Sequence, residues 1–197
     1  MVTIVVWAIL LVLVLLTMVA AVWIHEAGHK RAAQWLGLVG EYGRFPDEQS
    51  MKDLPEDAAG RFIKSPCVYY YRNAEAKANG LRWYNKDMPP LQSLVLSAAG
   101  PAFNIVGGVL FSLLAGVLHL AEINTTGWLE AVLYILLAIT WLLVAWNLGL
   151  GFGNLMYPTE ASDGGRIRLA FKAHRGGFST LEPVQTPEAD SGSESHQ

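Results

Sequence analysis

The sequence predicts an all-α polytopic membrane protein, with three core transmembrane helices and a cytoplasmic insertion that contains a β-hairpin. Three observations lead there. Of the 197 residues, 52% are hydrophobic and only 16% charged, a balance that moves the expectation away from a soluble domain. The apolar residues are concentrated in three uncharged runs, Val2 to Ile24, Leu91 to Ala121 and Ala131 to Asn154, each longer than the roughly 20 residues that cross about 30 Å of hydrocarbon. The 14 cationic residues are also placed unevenly: Arg166, Arg168, Lys172 and Arg175 follow the third run, the others lie between Lys30 and Lys86, and the His119 to Gly127 connection has none. Cationic loops stay on the cytoplasmic side, so the N-terminus is expected outside and the C-terminus in the cytoplasm.

The first span is assigned to about 2–36. It lacks a basic leading region and is longer than the roughly 7–15 apolar residues of a signal peptide, so it is expected to stay in the mature protein. Ala27, Ala32, Ala33 and Leu36 carry the helix past the apolar run to an end near Trp35, before Gly37. The insertion, 37–90, is polar and punctuated by Gly and Pro; its aromatic runs "CVYYYRN" and "LRWYN", separated by a polar loop ending in Gly80, read as the two strands of a hairpin. Pro89-Pro90 announces the second span at 91–120, and the third follows at 128–153. Trp23 and Trp128 suit the membrane interface. "RIRLAFKAHR" reads as an amphipathic helix, 166–175, lying on the inner face and stopped by Gly176-Gly177. The core is thus 1–175. The tail, 176–197, is rich in Ser, Glu, Pro and Gln and is expected to be disordered.

Some function classes drop out early. Basic and acidic residues are mixed through the insertion, which gives no stripe for a nucleic acid. A single cysteine, Cys67, excludes an internal disulfide, and no base stands near it in sequence to make a nucleophile of it. Asn124-Thr125-Thr126 fits a glycosylation sequon, read as coincidence.

The chemistry lies in "WIHEAGHK", Trp23 to Lys30. His25 and His29 are four apart on a helix, so both imidazoles leave one face and reach one Zn²⁺, one ion per chain. Glu26 is offset by one residue, which keeps it beside the metal, where a carboxylate can take a proton from the attacking water and give it to the leaving amine. Ionisable groups at the end of an apolar run are costly unless paired or ligated. The site needs a third protein ligand. Asp163, in "SDGGR" after the third span, is the candidate, with Gly164 and Gly165 expected to let the backbone leave helical geometry and turn the carboxylate inward; Glu160 is its nearest rival. In the second span, "AAGPAFN" sets small residues and Pro101 one turn before Asn104. An amide in lipid is expensive, so Asn104 should face the bundle interior, either as an interhelical hydrogen bond or as a contact to a substrate backbone or an oxyanion.

Together, H-E-A-G-H at 25–29, S-A-A-G-P-A-F-N at 97–104, and N-L-M-Y-P followed by S-D-G-G within 154–165 resemble the site-2 protease family of intramembrane zinc metalloproteases, in which HExxH, GPxxN and LDG-type motifs stand on successive core helices in this order. The resemblance covers approximately 1–36 and 91–170. It implies zinc ligation by His25, His29 and Asp163, a catalytic base in Glu26, and a substrate-positioning or transition-state role for Asn104. Two departures stand out: Ser162 occupies the place of the family's Leu, and Asn154 is followed by Leu155-Met156-Tyr157 before Pro158, one residue more than the family spacing. Neither a PDZ domain nor a CBS pair is expected in this length. The resemblance implies an intramembrane endopeptidase acting on a transmembrane protein substrate, with membrane lipid around it; the membrane is expected to be that of a prokaryotic cell. The 67–84 hairpin would pair with the unwound substrate as an added strand. The rival readings are a heat-shock-type membrane zinc protease, whose third ligand is a glutamate, and a metal-binding membrane protein without catalysis.

Overall fold

The computed structural model of the protein describes residues 2–45, 65–83, 88–156 and 162–175. The predicted tail and Glu160 lie outside them. The described elements are α1 (Val2–Trp35), β1 (Val39–Phe45), β2 (Ser65–Tyr71), α2 (Ala74–Ala78), α3 (Pro90–Ile123), α4 (Trp128–Met156) and α5 (Asp163–Arg175). Three of them, α1, α3 and α4, are long and apolar enough to cross a membrane. α1 keeps to its expected span, whereas α3 and α4 each run about three residues past theirs, to Ile123 and Met156.

The end of α1 follows from Gly37, which adopts φ +73°. Its N–H donates to the Gln34 carbonyl at 3.1 Å, and Leu38 N–H donates to that of Ala33 at 2.8 Å. This paired closure satisfies carbonyls that a helix end leaves open, and it sets Leu38 against Ala33 in a buried cluster with Ala32, Met88 and Leu96. The chain then enters β1 directly.

The β-structure differs from the expectation. β2 pairs antiparallel with β1, from Val39 opposite Tyr71 to Phe45 opposite Ser65, not with the run at 81–85. The reason is local. Asn73 caps α2 by accepting the Ala76 N–H at 2.7 Å, and Gly80, at φ +67°, closes that helix, so the residues between the two aromatic runs coil into a helix instead of a hairpin turn. Leu81–Trp83 returns beside β2 with a backbone bond, Trp83 N–H to the Tyr70 carbonyl at 2.8 Å, and forms no strand.

α3 packs on both α1 and α4, and α5 folds back against α3. The inward faces carry small and polar groups: Thr17, Ala21 and His25 on α1, Ser97, Gly100 and Asn104 on α3, and Thr140, Asn147 and Gly151 on α4 are all buried. Large apolar side chains point outward, as at Leu113 and Leu120 on α3. That inversion of a soluble core is how helices pack in lipid, where close backbone approach and internal polar contacts hold the bundle. Gly28 shows the closeness: a Cβ there would stand 2.5 Å from the Ala99 carbonyl of α3. Pro101 lies inside α3 without ending it, tolerated where neighbouring helices enclose the freed carbonyl.

Candidate metal centre

His25 and His29 leave the same face of α1, one turn apart, with ring centroids 4.8 Å apart and the rings edge to face. α5 brings Asp163 to them. Its Oδ2 lies 2.8 Å from His25 Nε2 and 3.3 Å from His29 Nε2, and the two Nε2 atoms are 3.2 Å apart. All three residues are buried. Donors bound at about 2.0–2.1 Å in a tetrahedron stand about 3.3 Å from one another, so these atoms already have nearly the spacing that one divalent ion imposes.

Two further features fit a metal. His29 Nδ1 faces the Leu96 carbonyl at 2.7 Å, which places the ring proton there and leaves Nε2 as the ligand atom. Gly100 on α3 faces the ligand atoms from the other side; a Cβ at that position would collide with Nε2 of both histidines. Glycine there keeps open the space an ion needs.

Asp163 is reached by a different route from the one its sequence suggests. Gly164 and Gly165 do not leave helical geometry: α5 begins at Asp163 itself, three residues before the expected start. Ser162 caps it, its Oγ accepting the Gly165 N–H at 3.2 Å and its carbonyl accepting that of Arg166 at 3.1 Å. Gly164 is needed for approach, because a Cβ there would collide with the carbonyl of Asn154. The contribution of Asn154 is therefore a backbone one, at the joint between α4 and α5. Burial opposes the charge on Asp163, but hydrogen bonds with the His25 and His29 imidazoles, and the charge on those rings, hold its carboxyl well below the usual carboxylate range. Arg166 stands 4.0 Å from its other oxygen.

Glu26 is buried beside His25, within electrostatic reach of His29, His25, Asp163 and Arg166. Asn104 is fully buried, with Nδ2 3.1 Å from His25 Nδ1. His25, Glu26, His29, Asn104 and Asp163 thus meet in one place, while the rival ligand Glu160 lies outside the described residues. Tyr70 on β2 was not among them. It packs against Leu96 and its neighbours, and burial, with the charges of Asp163 and Glu26 nearby, pushes its phenol above the ordinary tyrosine value. Its position in an aromatic run could not distinguish it from Tyr69 or Tyr71; the pairing of β2 with β1 does. Gly100 was visible only as a small residue in a helix.

No family model, curated protein or solved structure matches the chain, so the reading of the site rests on its own residues.

Proposed function

We propose that the chain is an intramembrane zinc endopeptidase of the site-2 protease type, which hydrolyses peptide bonds in or near the transmembrane segments of membrane-protein substrates. One observation carries the reading: two imidazoles and a carboxylate, from opposite ends of the chain, meet within bonding distance of a common centre, with a buried glutamate next to the first of them. Zn²⁺, bound by His25, His29 and Asp163, would polarise the scissile carbonyl and bring the pKa of water toward about 7. Glu26 takes the proton of the attacking water and passes it to the leaving amine. The neighbouring α3 helps to hold the His29 imidazole in one orientation, through the Leu96 carbonyl at its Nδ1.

On this reading the membrane is that of a prokaryotic cell, and the distribution of Lys and Arg supports a cytoplasmic location for the C-terminal end of α1 with the N-terminus outside. Water then reaches the site over a short path. A substrate helix shields its peptide bonds by its own hydrogen bonds, so it must unwind locally before cleavage, and Tyr70 gives the β1–β2 sheet a side chain at the place where an unwound segment would lie.

The test compares purified wild type with Glu26→Gln, measuring zinc content and cleavage of a panel of transmembrane peptides. Both proteins should hold about one zinc, and only the wild type should cut, with a loss of at least roughly a hundredfold in the variant. A metal-free wild type that cannot be loaded would end the proteolytic reading. Zinc bound by both proteins with cleavage by neither would favour a metal-binding membrane protein without catalysis, and full cleavage by Glu26→Gln would remove Glu26 as the base. The heat-shock type of protease is disfavoured by Asp163, an aspartate where that type uses a glutamate.

A further inference from the structure

The resemblance assigns Asn104 to the substrate or the transition state, but its surroundings place it behind a ligand. Its side chain is fully buried in the bundle and its Nδ2 lies 3.1 Å from His25 Nδ1. Its Oδ1 is also buried and finds no hydrogen-bond partner among the described residues. The other ring nitrogen of His25 is committed to the centre, at 2.8 Å from Asp163 Oδ2 and 3.2 Å from His29 Nε2. An imidazole that gives Nε2 to a metal carries its proton on Nδ1, and that proton needs an acceptor to fix the tautomer and the ring plane. His29 has one in the Leu96 carbonyl at 2.7 Å. For His25 the group in place is the Asn104 amide, whose oxygen and nitrogen exchange positions by a half-turn with almost no change in shape.

We propose that Asn104 is a positioning residue of the metal centre: its amide oxygen accepts the Nδ1 proton of His25 and holds the ring so that Nε2 is presented to a divalent cation. The inference rests on the zinc reading of the site. An amide suits the task better than a carboxylate, because Glu26 and Asp163 already place two acidic groups in a mostly apolar bundle, where each further charge is expensive.

The experiment measures Zn²⁺ affinity by competition with a chelator, and the visible spectrum after Co²⁺ loading, in full-length detergent-solubilised protein. Three variants are compared with wild type. Asn104→Leu keeps the volume and removes the acceptor. Asn104→Asp keeps the acceptor. Asn147→Leu removes an equally buried amide from α4, one whose Nδ2 donates to the Leu143 carbonyl at 2.8 Å, and so controls for packing. Asn104→Leu should bind Zn²⁺ about 10–100-fold more weakly and shift the Co²⁺ bands, Asn104→Asp should recover most of the affinity, and Asn147→Leu should bind as wild type does. Wild-type affinity in Asn104→Leu overturns the proposal. So does an equal loss in Asn104→Leu and Asn147→Leu, or in Asn104→Leu and Asn104→Asp. If Asn104→Leu holds zinc normally but no longer cleaves peptides, the residue contacts substrate and only this inference falls. If wild type takes up no zinc, the protease reading falls with it.

Discussion

Gly100 is the residue on which the centre depends without contributing a donor. Because a Cβ there would collide with Nε2 of both His25 and His29, Gly100→Ala must push the rings apart or displace α3. Overpacking of this kind costs about 1–3 kcal/mol, and here the strain falls on the ligand atoms. Gly100→Ala is expected to keep its far-UV helix signal while Zn²⁺ affinity drops by about tenfold or more, at 1.4 kcal/mol per decade. Undiminished zinc content would mean that the ion sits away from α3. The third ligand is tested separately: Asp163→Asn should lose bound zinc and Glu160→Gln should not, with metal analysis of the two purified variants as the measurement.

At the scale of elements, the joint between α4 and α5 sets the position of Asp163. Ser162 starts the helix by capping it, and Gly164 lets its first turn approach the Asn154 carbonyl. Gly164→Ala is expected to lift α5 from the end of α4, with a loss of about 1–3 kcal/mol and a fall in zinc content, whereas Ser162→Ala should cost about 1 kcal/mol and leave the metal in place. Thermal unfolding with and without added Zn²⁺ separates the two. The strand pairing also alters how the sheet is to be probed. A proline in Val68 to Tyr71 would break the β1–β2 ladder itself, so loss of cleavage in such a variant would not isolate an added substrate strand. Tyr70→Phe leaves the ladder intact and is the cleaner substitution; reduced cleavage with normal zinc content is the expected result.

For the whole molecule, the ligands join the beginning of the chain to its end. His25 and His29 stand on α1 and Asp163 on α5, 138 residues from His25, so an ion held by all three would tie together two helices that each pack on α3. Zinc held in this way would bind the folded arrangement and not the separated helices. Free Zn²⁺ at a hundred times its Kd is therefore expected to stabilise the wild type by about 2.7 kcal/mol, read as a rise in Tm. Asp163→Asn should show a much smaller rise, and a chelator should return wild type to the unliganded Tm.

The three long helices, their order and the residues of the centre were legible in the chain, because a 3.6-residue period puts His25 and His29 on one face and because length and hydropathy alone identify an element that can cross lipid. Glu26 and Asp163 were legible through their spacing and through the end of the third span on which Asp163 follows. What folding in three dimensions settled was which surfaces meet. The partner of β2 lies across a long connection, and a local reading of aromatic runs favours the nearer segment; Gly164 serves an approach between two helices, which turn propensity does not register; and the imidazole behind Asn104 is 79 residues away in sequence. Periodicity and burial cost act along a single element and can be read there, whereas contacts between elements depend on the relative placement of backbones.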